Sequence, residues 1–207
     1  MRNKDTREKL LRTAKNLFYK RGYSNTSIRE IGVKAGISNS LLYHYFKNKE
    51  DILFEIIKTA SDDLIQTLRE IDKRVSDPVE CLREMLISHT VLFSIKRKKE
   101  SKALVVDLYW LRGKRLEEVR NIQREVYNLY MKKLEEIKAR GLLEDIDLTV
   151  LNFSIFGVIN GFFRWYKEGG RLSKEEVAGD IVRFVFHGML SAKPERSKAI
   201  IQDDEVF

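Results

Sequence analysis

A chain of 207 residues with 43% hydrophobic and 34% charged residues has room for one or two packed domains and is too apolar to be a disordered segment. A single cysteine, Cys81, excludes an internal disulfide framework. No apolar run reaches the roughly 18 residues a bilayer span needs. MRNKDTREKLL lacks the apolar centre of a secretion signal, so a cytoplasmic protein is expected. The net charge is +8, and residues 1–50 hold all of it: 12 Lys and Arg against 4 Asp and Glu, while residues 51–207 hold 27 of each. A basic segment of this kind attracts phosphate by counterion release, which points to nucleic acid.

Only 2 prolines and 11 glycines interrupt the chain, so long helices and an all-α fold are expected. The first helix is predicted over 6–21, with Leu10, Leu11, Ala14, Leu17 and Phe18 forming one apolar stripe. A second helix starts at Thr26 or Ser27, where Ser27 and Glu30 have capping-box spacing. It turns at Gly36, and Ser38 caps a third helix in which Leu42, Tyr45 and Phe46 pack inward. Two short helices joined by a glycine turn are the sequence form of a helix-turn-helix, here 26–46. A fourth helix is predicted over 49–74, with Ile52, Leu53, Ile56, Ile57, Ala60, Leu64 and Leu68 inside. Asp77-Pro78 opens a fifth helix running to 95, which the basic run 96–99 ends. Further helices are predicted over 101–111, 114–140 and 147–166, and a last one from Ser173, whose SKEE is a capping box, to 190.

GISNSLLYHYFKNKEDIL, preceded by GYSNTSIREIGVKAG, resembles the signature of the TetR family of transcription regulators over about the first 60 residues. The resemblance implies an N-terminal DNA-binding domain over 3–63 and a six-helix ligand-binding and dimerisation domain over 64–190, followed by a flexible tail over 191–207. It places Thr26, Ser27, Tyr43 and Lys49 at DNA phosphates, with Ser38 at the start of the reading helix. Arg29, Asn39, Ser40, Leu41 and His44 become candidates for base edges, since arginine suits guanine and asparagine suits adenine. Leu41 is either a thymine-methyl contact or a core residue. Two departures fall inside the motif. Gly32 stands where alanine is common, and Asn39-Ser40-Leu41 replaces the usual residues of the reading face.

The family forms dimers through its last two helices, which implies a homodimer on palindromic double-stranded DNA. Gly157, Gly161, Phe184 and Gly188 are the candidate interface; Gly157 could equally make room for a neighbour within the chain. The segment GVINGFFRWYKEGGRLSKEEVAGDIV resembles the FadR-like, acyl-CoA-responsive subgroup, although Gly161 stands where that subgroup carries an aromatic residue. An acyl-CoA effector needs an apolar slot and basic groups for its phosphates. The candidates are Phe93, Leu108, Tyr109, Tyr127 and Phe156 for the slot, and Arg120, Arg124, Arg164 and Trp165 for the head, with Arg115 nearby. Arg164 could instead pair with Glu168. The reading is a repressor of lipid or fatty-acid metabolism genes, released from DNA by a CoA thioester. The alternatives are a repressor sensing lipophilic drugs for an efflux pump, or a non-switching architectural DNA binder. No catalytic motif, metal-ligand spacing or cofactor fingerprint is present, so no enzyme is expected. His89 and His187 are expected in the core or an interface.

Overall fold

The computed structural model describes residues 2–91 and 97–190. Among these residues lie nine α-helices: α1 (Arg2–Arg21), α2 (Ile28–Ala35), α3 (Asn39–Tyr45), α4 (Lys49–Arg74), α5 (Pro78–Ser88), α6 (Lys98–Lys102), α7 (Gly113–Ala139), α8 (Leu148–Trp165) and α9 (Lys174–Met189). The only extended pairing among the described residues is an isolated bridge between Leu143 and Leu190.

Helices α1 to α3 form a small head around Leu10, Ala14, Leu17, Phe18, Ile31, Ala35, Leu42 and Phe46, all buried. The Ser27 side chain accepts from the Glu30 amide, but Glu30 does not close the box. Its carboxylate pairs with Arg21 at the end of α1 instead. A contact between helices thus wins over the local motif. Gly36 ends α2 in the left-handed region, at φ 63°, which glycine adopts without strain. Gly32 has a different reason: a Cβ there would lie 3.0 Å from Leu42 Cδ1 and 3.3 Å from the Ile37 carbonyl. The common alanine would press on α3, so its absence lets the two helices sit closer.

Helix α4 is capped by a full box in which Asn48 and Asp51 satisfy each other's backbone. It runs 26 residues without a break. It packs on α1 of the head and on α5 and α7 of the body. The boundary expected at 63/64 therefore falls inside one continuous helix, which both halves of the molecule share.

The segment after α5 departs most from expectation. The α-helical pattern predicted to 95 ends at Ser88, and residues 89–91 widen into a π turn. The helix predicted over 101–111 is instead a short α6, a π segment over Ala103–Asp107 and a 3₁₀ turn over Leu108–Trp110. Four contacts hold this stretch against α1 and α8. Lys15 pairs with Glu100 at 2.7 Å, Lys98 donates to the Tyr166 carbonyl at 2.6 Å, Lys99 meets Asn16, and Lys102 donates to the Tyr19 carbonyl at 2.7 Å. The first helix begins at Arg2, earlier than expected. Phe93 and the 191–207 tail lie outside the described residues.

Candidate functional site

The head presents one face free of core packing. Arg29, Asn39, Ser40 and His44 are exposed. Leu41 and Tyr43 remain 40% and 44% exposed, which removes the core alternative for Leu41. Helix α3 turns Leu42 inward and these neighbours outward because its single apolar stripe is narrow. Ser38 accepts from the Leu41 amide at 3.3 Å, so its hydroxyl serves the start of α3. Ser27 is exposed at the start of α2, where amides and the helix dipole favour an anion.

Two expected phosphate contacts are placed differently. Thr26 is buried, and its hydroxyl donates to the Gly22 carbonyl at 3.0 Å. It closes the α1–α2 turn and its side chain cannot reach a phosphate. The Lys49 ammonium donates to the Tyr23 carbonyl at 2.7 Å and lies 4.0 Å from the Tyr23 ring centroid. Desolvation there lowers its pKa. Tyr23 itself is pushed up to about 12, by burial first and then by nearby Glu50.

A cavity of about 310 Å³ lies deeper in the molecule. Its walls come from Ser61 and Leu64 of α4, His89, Leu104, Ile122, Gln123, Val126 and Tyr127 of α7, and Phe153, Phe156 and Asn160 of α8. Aromatic contacts brace one side: Tyr130 lies 5.1 Å from Phe156, and Tyr127 lies 5.4 Å from Phe153, centroid to centroid. His89 is buried, with Nδ1 3.1 Å from the Tyr130 hydroxyl. Burial pulls its pKa down to about 3, so the ring is neutral at physiological pH. His187, by contrast, is exposed on α9.

Of the slot residues expected from sequence, Tyr127 and Phe156 line this cavity. Leu108 and Tyr109 do not. They belong to the 3₁₀ turn, where Tyr109 is 59% exposed and packs on Trp110, whose ring lies 5.4 Å from Tyr23. That turn joins the head to the body. Arg115 is taken by Asp51 and Glu50 of α4, and Arg124 donates to Asn121. Arg120 is exposed outside the cavity lining. Arg164 and Trp165 are exposed at the end of α8. Phe153, Phe156, Asn160 and Arg164 share one face of α8 by helical spacing, so Arg164 continues the cavity stripe one turn outward.

The lining residues missed from sequence include Ser61 and His89. Each was marked by being polar within an apolar stripe. The small-residue positions are also clear. Among the described residues, a Cβ at Gly157, Gly161 or Gly188 would meet nothing within 4 Å. Phe184 is 71% exposed and Phe153 61%. Among the described residues no cluster of His, Cys, Asp and Glu could hold a metal, and no helix is long and apolar enough to cross a membrane.

A basic helix-turn-helix head, joined by a shared helix to a helical body with an apolar cavity, defines a DNA-binding transcription regulator of the ligand-responsive kind. Residues 10–56 match the model of bacterial regulatory proteins of the tetR family, and residues 75–189 match the tetracyclin repressor-like C-terminal domain. The chain belongs to the TetR family. It is 28% identical over 197 residues to the HTH-type transcriptional repressor KstR2 of Mycolicibacterium smegmatis, covering 92% of this chain and 93% of that one. It is 30% identical over 144 residues to the fatty acid metabolism regulator protein of Bacillus subtilis, covering 67% and 72%. Among solved structures it resembles AibR in complex with isovaleryl coenzyme A and operator DNA. That match has a TM-score of 0.79 at 27% identity and covers 87% of this chain and 98% of that one. These relatives are regulators, not enzymes.

On the exposed face, Arg29→Ala is expected to cost about 1–3 kcal/mol at a cognate base pair and to relax sequence preference there. Titration of the variant against single-base operator variants checks this. Unchanged affinity and preference would remove Arg29 from the reading set.

Proposed function

We propose that this protein is a dimeric repressor that leaves a palindromic operator when a fatty acyl-CoA or related CoA thioester enters the α4–α7–α8 cavity, and that it controls genes of lipid or fatty-acid metabolism. In this reading Arg29, Asn39, Ser40, Leu41 and His44 face the bases, and Ser27 and Tyr43 the backbone. The observation that carries the proposal is that one helix, α4, both forms a cavity wall through Ser61 and Leu64 and begins directly after the reading helix. An effector that displaces α4 therefore moves the head.

Cavity size supports the chemistry. Ligand sites commonly span about 300–1,000 Å³, and this one, at about 310 Å³, is at the small end. It suits an acyl group while the CoA nucleotide stays outside. Arg164, one turn beyond Asn160 on the same stripe, offers a cation outside the cavity lining. The relatives' names, a fatty acid metabolism regulator and a complex with isovaleryl coenzyme A, support the same class.

A ligand shifts the equilibrium only by its preference for the DNA-incompetent state. Moving the population from 1:99 to 99:1 takes about 10⁴-fold preference. The expected result is release of operator DNA by acyl-CoAs in a chain-length-dependent manner and no release by the corresponding free fatty acids, read by fluorescence anisotropy. No release across the acyl series would overturn the reading.

A further inference from the structure

Ser61 is 3% exposed and lines the cavity from α4. Its hydroxyl has no hydrogen-bond partner among the described protein groups. A serine inside a helix ordinarily back-bonds to a carbonyl one turn earlier; this one does not. The lining is mostly apolar, with Leu64, Leu104, Ile122 and Val126, and the neutral Gln123 and Asn160 that share it make no hydrogen bond to Ser61. An apolar site gains nothing from a buried hydroxyl, because stripping it of water costs free energy unless something replaces the water. Leucine or alanine would serve the core better at this position.

The cavity also sets the charge of the replacement. None of the described residues lining it carries a charge, and its one titratable base, His89, is held neutral and turned to Tyr130. A carboxylate would enter with no cation to meet it. A neutral hydroxyl or ketone would meet a donor that can also accept.

We propose that Ser61 reads a neutral oxygen on the acyl chain, so that the protein responds to hydroxy- or oxo-acyl thioesters in preference to saturated chains of the same length. This rests on the reading of the cavity as the acyl site. It adds a selectivity that an apolar slot alone does not provide, since hydrophobic pockets discriminate weakly between a chain and its oxygenated analogue whereas a paired hydroxyl discriminates strongly. It also puts the recognition contact on the helix that carries the head.

The test is calorimetric titration of the full-length protein with hexanoyl-, octanoyl- and decanoyl-CoA, each against its hydroxy and oxo analogues, with operator release followed in parallel. At least one oxygenated analogue should bind about tenfold tighter than its saturated parent, equivalent to about 1.4 kcal/mol. Ser61→Ala removes no hydrogen bond within the described protein, so the fold is kept. It should reduce the preference for the oxygenated chain to within about twofold. Ser61→Cys, similar in shape but a weak donor, should behave like the alanine variant. Equal binding of saturated and oxygenated chains by the wild-type protein overturns the inference and leaves the acyl-CoA reading standing. A preference that survives in both variants does the same. Failure of every CoA thioester to bind overturns the acyl-CoA reading, and the inference with it.

Discussion

Gly157→Arg is expected to give a folded monomer whose operator affinity falls at least about a hundredfold. A Cβ added at Gly157 meets nothing within 4 Å among the described residues, so the substitution is expected to leave the fold in place. On α8 and α9, Val150 and Phe184 are 59% and 71% exposed. That much apolar surface on adjacent helices is what a partner helix pair would cover. A guanidinium on a three-carbon stem would enter that contact without a counter-charge, which is costly. A dimer holds two recognition helices about 34–36 Å apart, one helical turn of DNA. Once one head is bound, the second gains an effective concentration worth about 10²–10⁴ in affinity, and the monomer forfeits it. Light scattering, circular dichroism and operator titration read the three quantities separately. A variant that stays dimeric would move the interface away from Gly157. Gly157→Ala is the control, since alanine adds little bulk and suits a helix better than glycine.

Lys133→Met is expected to cost about 1–3 kcal/mol, because Lys133 is buried while its partner Asp72 keeps some contact with solvent. Lys133 is 4% exposed on α7, 2.7 Å from Asp72 of α4 and 2.9 Å from Glu136. Methionine fills the space but leaves Asp72 with only Lys132, at 3.2 Å. At about 2–4 °C per kcal/mol for a chain of this size, the melting temperature should fall by roughly 2–12 °C. The pH dependence follows from the pair. Burial alone would raise Asp72, but hydrogen bonds from Lys133 and Lys132 outweigh it and hold the carboxyl below its usual range. Its contribution is therefore present above about pH 4 and lost as pH falls through the folded value. Burial would lower Lys133, but Asp72 and Glu136 outweigh it and raise the ammonium. That contribution is present below about pH 10 and lost as pH rises past the folded value. The gap between wild type and variant should be flat across neutral pH and narrow in acid. His89, depressed to about 3 by burial, weakens the fold from about pH 6.5 downward in both proteins alike, so it cancels in the difference. Thermal melts from pH 3 to 8 check this; a gap that persists unchanged at pH 3 would show that Asp72 is not the group left stranded.

Helix ends were legible wherever a cap is made by nearby residues. Ser173 and Glu176 close their box as the SKEE pattern implies, and Asp77 accepts from Val79 and Glu80 ahead of α5. The region from 89 to 111 was not legible, because its geometry is set from elsewhere. Lys98, Lys99 and Lys102 look like a solvated run in sequence, yet they reach α8 and α1. Tyr109 and Trp110 announce burial but not which cavity or seam they join. The reading face was legible because exposure on a short helix follows directly from the spacing of its few apolar residues. The cavity was legible only in part. Tyr127 and Phe156 stood out as large aromatics, whereas Ser61 was passed over as one small polar residue in the stripe of Ile57, Ala60, Leu64 and Leu68.

If a ligand displaces it, the unbroken helix shared by head and body would act as a mechanical amplifier. With 26 residues, α4 is a stiff rod of roughly 39 Å at about 1.5 Å per residue. Ser61 sits about 18 Å along it from Lys49 on the same rise. A tilt of about 5° pivoting at Ser61 would swing the Lys49 end by roughly 1.5 Å, about three times the 0.5 Å window within which a hydrogen bond keeps its length. In a two-fold dimer both rods would swing together, doubling the change in the gap between the heads. A stroke too small to unpack the core is then enough to put both heads out of step with one turn of DNA.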